Sequence, residues 1–84
     1  MPFVYIVRCA DGTLYTGYAK DLERRIRAHN RGRGARYTSG RRPVALVYAR
    51  RYRSRSRALR REYEIKQMTR AQKEALIASL APER

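Results

Sequence analysis

"YIVRCADGTLYTG", residues 5–17, decides how the rest of the chain is read. β-Branched and aromatic residues fill both ends and Ala10-Asp11-Gly12 interrupts them, so the stretch reads as two antiparallel strands joined by a turn. The strands extend to residues 3–9 ("FVYIVRC") and 13–18 ("TLYTGY"). Turn length determines which side chains share a face, because side chains alternate along a strand. A two-residue Asp-Gly turn pairs Arg8 with Tyr15 and sends Tyr5 and Tyr15 to opposite faces. A three-residue loop with Gly12 left-handed pairs Cys9 with Thr13, Val7 with Tyr15 and Tyr5 with Gly17. In that register both phenols point the same way, and the side chain missing at Gly17 leaves a gap beside Tyr5.

Beyond the hairpin, "KDLERRIRAHN" (20–30) reads as a helix, with Asp21 as N-cap and Glu23 in the positive first turn. Leu22 and Ile26 mark its buried stripe, and Arg25 and His29, one turn apart, lie along the stripe's edge. "RGRGARYTSGRRP" (31–43) reads as a flexible, phosphate-friendly loop, and "VALVYAR" (44–50) as a third strand. Serines 54 and 56 precede a second helix over about 56–68, and Thr69 caps a third over about 70–81. In the second helix Ala58, Leu59 and Ile65 share an apolar stripe, and Glu62 projects into its middle. Glu64 points almost the opposite way. A carboxylate in an apolar face is costly without a cation or hydrogen bonds, and a structural salt bridge to an arginine is the plain explanation for Glu62.

The chain's 84 residues suit one small domain, 1–84, in which nearly every aliphatic residue is needed for the core. No apolar run approaches the ~20 residues of a membrane span, and residues 3–7 are too short and too soon followed by Arg8 to act as a signal peptide. The single cysteine, Cys9, excludes an internal disulfide, suits a reducing cytoplasm and reads as a small strand residue. No Cys/His cluster supports a zinc site. Twenty-one basic residues against seven acidic ones give a net charge of +14, a field that attracts polyanions. Arginine dominates the basic residues, and its planar fork suits phosphate. The helices are too modestly apolar for membrane-surface binding, so nucleic acid is the expected partner.

Tyr5, "YTG" at 15–17, Arg25, His29 and Glu62 follow one another in an order that resembles the GIY-YIG nuclease superfamily, in particular its small single-domain bacterial members. "FVY" (3–5) stands for the first signature and "YTG" for the second, and the match runs from residue 3 to about 77. The first signature has Phe3 in place of its glycine. The asparagine that larger members carry beyond the glutamate is missing, since the only asparagine is Asn30. The resemblance implies an α/β (α+β) fold, a three-stranded antiparallel sheet flanked by about three helices, in agreement with the strands and helices read above. It also implies cleavage of DNA phosphodiesters in repair or processing with one Mg²⁺ or Mn²⁺ ion. By resemblance Tyr5 and Tyr15 are the signature tyrosines, Gly17 the signature glycine, Arg25 the catalytic arginine, His29 the residue one turn after it, and Glu62 the metal ligand. A shared face for the two phenols then requires the three-residue loop.

Under that reading Arg25 holds the scissile phosphate through its bidentate fork. Tyr5 activates water in a field of positive charge from Arg24, Arg25 and the metal, and Tyr15 and His29 orient water or phosphate, with His29 a rival for the proton transfer. Gly17, Arg24, Arg36, Arg41, Arg50, Arg51, Arg53 and Arg60 are the expected nucleic-acid contacts, with DNA the main partner, RNA possible, and a cytoplasmic monomer the default. The alternatives are a non-catalytic nucleic-acid-binding module, either a decayed nuclease or an RNA-associated basic protein, and a ribosome-associated structural protein. The last accounts for the charge but not for the residue order.

Overall fold

The computed structural model describes residues 1–80. Three strands, β1 (Phe3–Arg8), β2 (Leu14–Ala19) and β3 (Ala45–Arg51), form an antiparallel sheet in the order β2-β1-β3. Four helices accompany it: α1 (Leu22–Asn30), α2 (Arg36–Ser39), α3 (Arg55–Lys66) and α4 (Arg70–Leu80). The hairpin has the three-residue loop. Tyr5 pairs with Gly17 and Val7 with Tyr15, Cys9 N–H donates to Thr13 O at 2.8 Å, and Gly12 sits at φ +86°. Only glycine adopts that angle without strain, which fixes the register and with it the shared face.

β1 is the central strand and divides the interior. Val4 and Ile6 face a core built with Tyr48, Ala58, Ile65 and Ile77, so α3 and α4 cover that side. Tyr5, Val7 and Cys9 face the other side with Ala19 and Val44, where Leu22 and Ile26 of α1 pack against them. Helix ends follow side-chain capping: Asp21 Oδ1 accepts from Arg24 N at 3.1 Å and Ser54 Oγ from Arg57 N at 3.2 Å. Thr69 and Gln72 cap each other's backbone N–H groups in a capping box. The expected end of the last helix, residue 81, lies outside the described residues.

Two expectations are corrected. Residues 31–43 are not a featureless loop. Thr38 N and Ser39 N both bond to Ala35 O, closing the single turn of α2, and the Asn30 side chain grips Val44 through its backbone N–H (2.7 Å) and carbonyl (3.2 Å). These are tertiary and turn-level bonds, invisible to a pattern read along a Gly- and Arg-rich segment. Leu59 is not part of the buried stripe of α3 either. It is 38% exposed, while Ala58 and Ile65 are fully buried, because α3 rests on the sheet along a narrower line than its apolar residues suggest.

Candidate active site

The site lies where Tyr5 leans across β2. Opposite it, Gly17 has no side chain, and a Cβ there would run into the Tyr5 ring and hydroxyl. Gly17 is itself buried, so it makes room for the phenol and offers no surface to a nucleic acid. The Tyr5 hydroxyl lies 2.6 Å from His29 Nε2 and accepts a longer bond, 3.4 Å, from Arg25 Nε. Tyr5 and His29 are both fully buried. Arg25 and His29, one turn apart on α1, thus reach the same phenol from one helix face.

The other nitrogen of His29, Nδ1, lies 2.8 Å from Thr38 Oγ1 on α2, and Thr38 Oγ1 donates to Ala35 O at 3.0 Å. The chain reaches this position through Gly32, which ends α1 at φ +80°, and Gly34, whose Cβ would collide with the His29 ring. Tyr15 meets His29 edge-on, with centroids 5.4 Å apart, and stacks on Tyr37 at 5.7 Å. The Arg41 guanidinium lies over the Tyr37 ring, 4.2 Å from its centroid.

Electrostatics differ from expectation at the phenol. Burial pushes Tyr5 above the usual phenol value, and the hydrogen bond and charge of Arg25 only partly offset that rise. Tyr5 is therefore a protonated hydroxyl here, not a phenol brought near neutrality by surrounding cations. Burial and the neighbouring Arg25 charge hold His29 below the usual imidazole value, so it is neutral at pH 7. Arg25 is held above the ordinary guanidinium value, first by its hydrogen bond to Tyr5 and with further support from Tyr15.

Glu62 comes from α3, which packs on the side of the sheet opposite α1. Its side chain is 17% exposed and its cation is Lys66, one turn on, with Nζ 3.1 Å from Oε2; the structural partner is thus a lysine and not an arginine. Oε1 has no protein hydrogen-bond partner among the described residues, and no group of three or more His, Cys, Asp or Glu side chains converges there. Such a donor set suits a hard cation that keeps most of its waters and shares phosphate oxygens, as Mg²⁺ does, and not an all-protein cage.

Around the site, Arg24 and Arg25 line a surface cleft of about 340 Å³ with Tyr18, Lys20 and Asp21. Arg36, Arg50, Arg51, Arg53 and Arg60 are exposed. Arg41 differs from them, since Asp11 Oδ2 accepts its Nε–H at 3.0 Å and the Tyr37 carbonyl accepts another N–H at 2.8 Å. It fastens α2 to the hairpin turn. Thr38, Gly34 and Tyr37 escaped the sequence reading because their partners lie across a loop with no periodic spacing to reveal them.

A profile of the GIY-YIG catalytic domain matches residues 1–75. The chain belongs to the GIY-YIG family. Among its GIY-YIG relatives are UPF0213 proteins of Staphylococcus aureus strains Mu50 and N315, each 63% identical over 75 residues, covering 89% of this chain and 92% of the relative. Solved structures agree. The solution NMR structure of a UPF0213 protein from Bacillus halodurans is 45% identical, has a TM-score of 0.64, and is matched over 96% of this chain and 87% of that one. That of a protein from E. faecalis is 38% identical with a TM-score of 0.65, over 98% and 88% of the two chains. The compact α+β architecture is thus common to this branch of the GIY-YIG family. No helix among the described residues is long and apolar enough to cross a membrane.

Proposed function

We propose that this GIY-YIG chain is a single-domain, metal-dependent endonuclease that hydrolyses DNA phosphodiesters in DNA repair or processing. The observation that carries the reading is the meeting of Tyr5, His29 and Arg25 at one buried point. Proton acceptor, phosphate-binding cation and carboxylate are the parts that phosphodiester hydrolysis requires.

Arg25 binds the scissile phosphate through its fork. Its contact to Tyr5 is long, and Tyr5 has no exposed surface. Transfer of the guanidinium to a phosphate oxygen then opens the phenol to the attacking water. The water gives its proton to the Tyr5 oxygen as Tyr5 gives its own to neutral His29, so no free phenolate is needed despite the raised phenol value. Tyr15 braces the imidazole edge-on. Glu62 would hold one Mg²⁺ or Mn²⁺ ion, which when bound supplies charge stabilisation to the phosphoryl and leaving oxygens. Arg24, Arg36, Arg50, Arg51, Arg53 and Arg60 track the DNA backbone without reading bases.

One observation favours the alternative of a nucleic-acid binder without catalysis: Lys66 already neutralises Glu62. The two readings part at Glu62→Gln. If Glu62 is the metal ligand, Mg²⁺-dependent nicking falls by about a hundredfold or more. The melting transition moves little, because a single i,i+4 pair whose lysine stays solvent-accessible contributes only about 0.5 kcal/mol. Glu64→Gln, which loses only its contact with Arg61, should cut as the parent does. A Glu62→Gln protein that nicks DNA at the parental rate overturns the mechanism.

A further inference from the structure

We propose that Thr38 is a positioning residue of the site, setting the histidine tautomer that leaves His29 Nε2 bare toward the Tyr5 hydroxyl. The deduction follows from which groups can donate. Arg25 can only donate to the Tyr5 oxygen, so the Tyr5 proton has its acceptor at a bare His29 Nε2. The Thr38 hydroxyl, 3.0 Å from the Ala35 carbonyl, keeps Nε2 bare by directing its single proton to that carbonyl, which also takes the Thr38 and Ser39 N–H groups. The Thr38 oxygen is then left as an acceptor, and the group 2.8 Å from it, His29 Nδ1, must carry the ring proton. In neutral imidazole only one nitrogen is protonated, so Nε2 is a lone pair. The Tyr5 hydroxyl at 2.6 Å therefore donates to it, and the Tyr5 oxygen is free to accept from Arg25.

Every hydrogen bond in the row, from Arg25 through Tyr5, His29 and Thr38 to Ala35, runs in the same sense. Reversing Thr38 so that it donates to Nδ1 would put the ring proton on Nε2, facing a Tyr5 oxygen that already accepts from Arg25, and would leave the buried Tyr5 hydroxyl proton without an acceptor. No water can substitute for the hydroxyl at Nδ1, since His29 and Thr38 are both fully buried and Gly34 closes against the ring. When a proton moves from Tyr5 to Nε2, the imidazolium keeps its Nδ1–H bond to Thr38. The transfer thus breaks one O–H bond, forms one N–H bond, and needs no rearrangement behind the ring.

The inference rests on the proposed nuclease reaction only for its kinetic arm. His29 is the single histidine, so in the full chain labelled with ¹⁵N-histidine a long-range ¹H–¹⁵N correlation spectrum reports one ring without assignment. At pH 7.5 the expected pattern has Nδ1 protonated and Nε2 bare; Nε2 protonated in the parent overturns the proposal whatever the protein cuts. Thr38→Val keeps the shape and removes the oxygen, and should lose the fixed tautomer, which Thr38→Ser should restore. With Mg²⁺ and nicking as readout, Thr38→Val should lower kcat by about 10- to 100-fold with KM for DNA unchanged, and Thr38→Ser should recover most of it. A folded Thr38→Val protein that retains the Nδ1–H tautomer overturns the proposal. If the parent cuts nothing, the nuclease reading fails, and the spectra of parent and Thr38→Ser still decide the role of Thr38.

Discussion

Gly17 shows how one absent side chain shapes the site. Its missing Cβ is the space Tyr5 uses to reach His29. Gly17→Ala should force the ring aside and cost about 1–3 kcal/mol, as overpacking does, and nicking should fall along with the melting temperature; an unchanged Tm would show that the phenol can sit elsewhere. His29 makes a second, pH-dependent statement. Its folded pKa is lowered by burial and then by Arg25. As pH drops below the unfolded imidazole value of about 6.5, the unfolded chain takes up a proton that the folded chain refuses. Stability must therefore decline through that window and level off beneath the folded pKa. Asp11 and Glu74, lowered chiefly by Thr13 and Arg8 respectively, add losses only further down, toward pH 4. Melts between pH 8 and 5 should show the decline beginning near 6.5. A flat profile to pH 5 would mean His29 is not sealed.

At the scale of elements, local signals were sufficient where one residue dictates a conformation. Asp21 set the start of α1, whereas Gly12 and its neighbours left two hairpin registers open until the shared face of the two phenols chose the three-residue loop. Asp21→Ala should cost about 1 kcal/mol and also cut the rate, since α1 carries both Arg25 and His29; a melt and a nicking assay on that variant check the two effects together. Signals failed where conformation depends on a remote partner. α2 is a single turn whose worth comes from His29, Asn30–Val44 and Asp11–Arg41 contacts, none of which leaves a period in residues 31–43. The placement of Arg25 and His29 on a helix edge was legible; the complete burial of His29 was not, because a partner helix and two glycines produce it.

For the whole molecule, charge is the dominant property. The net +14 is distributed so that Arg24, Arg36, Arg50, Arg51, Arg53 and Arg60 are exposed, while Arg8 and Arg41 are bound to Glu74 and Asp11. If these six arginines meet phosphates, DNA affinity should fall about a thousandfold between 50 and 200 mM salt with little dependence on sequence. A shallow salt slope, measured by titration into labelled duplexes, would count against backbone tracking. Arg41→Ala should leave that slope nearly unchanged and instead loosen α2.

The alternation along β1 has a consequence for how this protein could change. Even positions Val4 and Ile6 belong to the layer under α3 and α4, and odd positions Tyr5 and Val7 to the chemistry-bearing layer under α1. The two layers can drift almost independently: a combinatorial library confined to Val4, Ile6, Ala58, Ile65 and Ile77 explores thermal robustness while leaving the phenol and imidazole untouched. Glu62 rides on α3 in the first layer, although its proposed role belongs to the second. Any repacking that rotates α3 carries that carboxylate with it, so the axial orientation of a single helix is where selection for durability and selection for turnover meet.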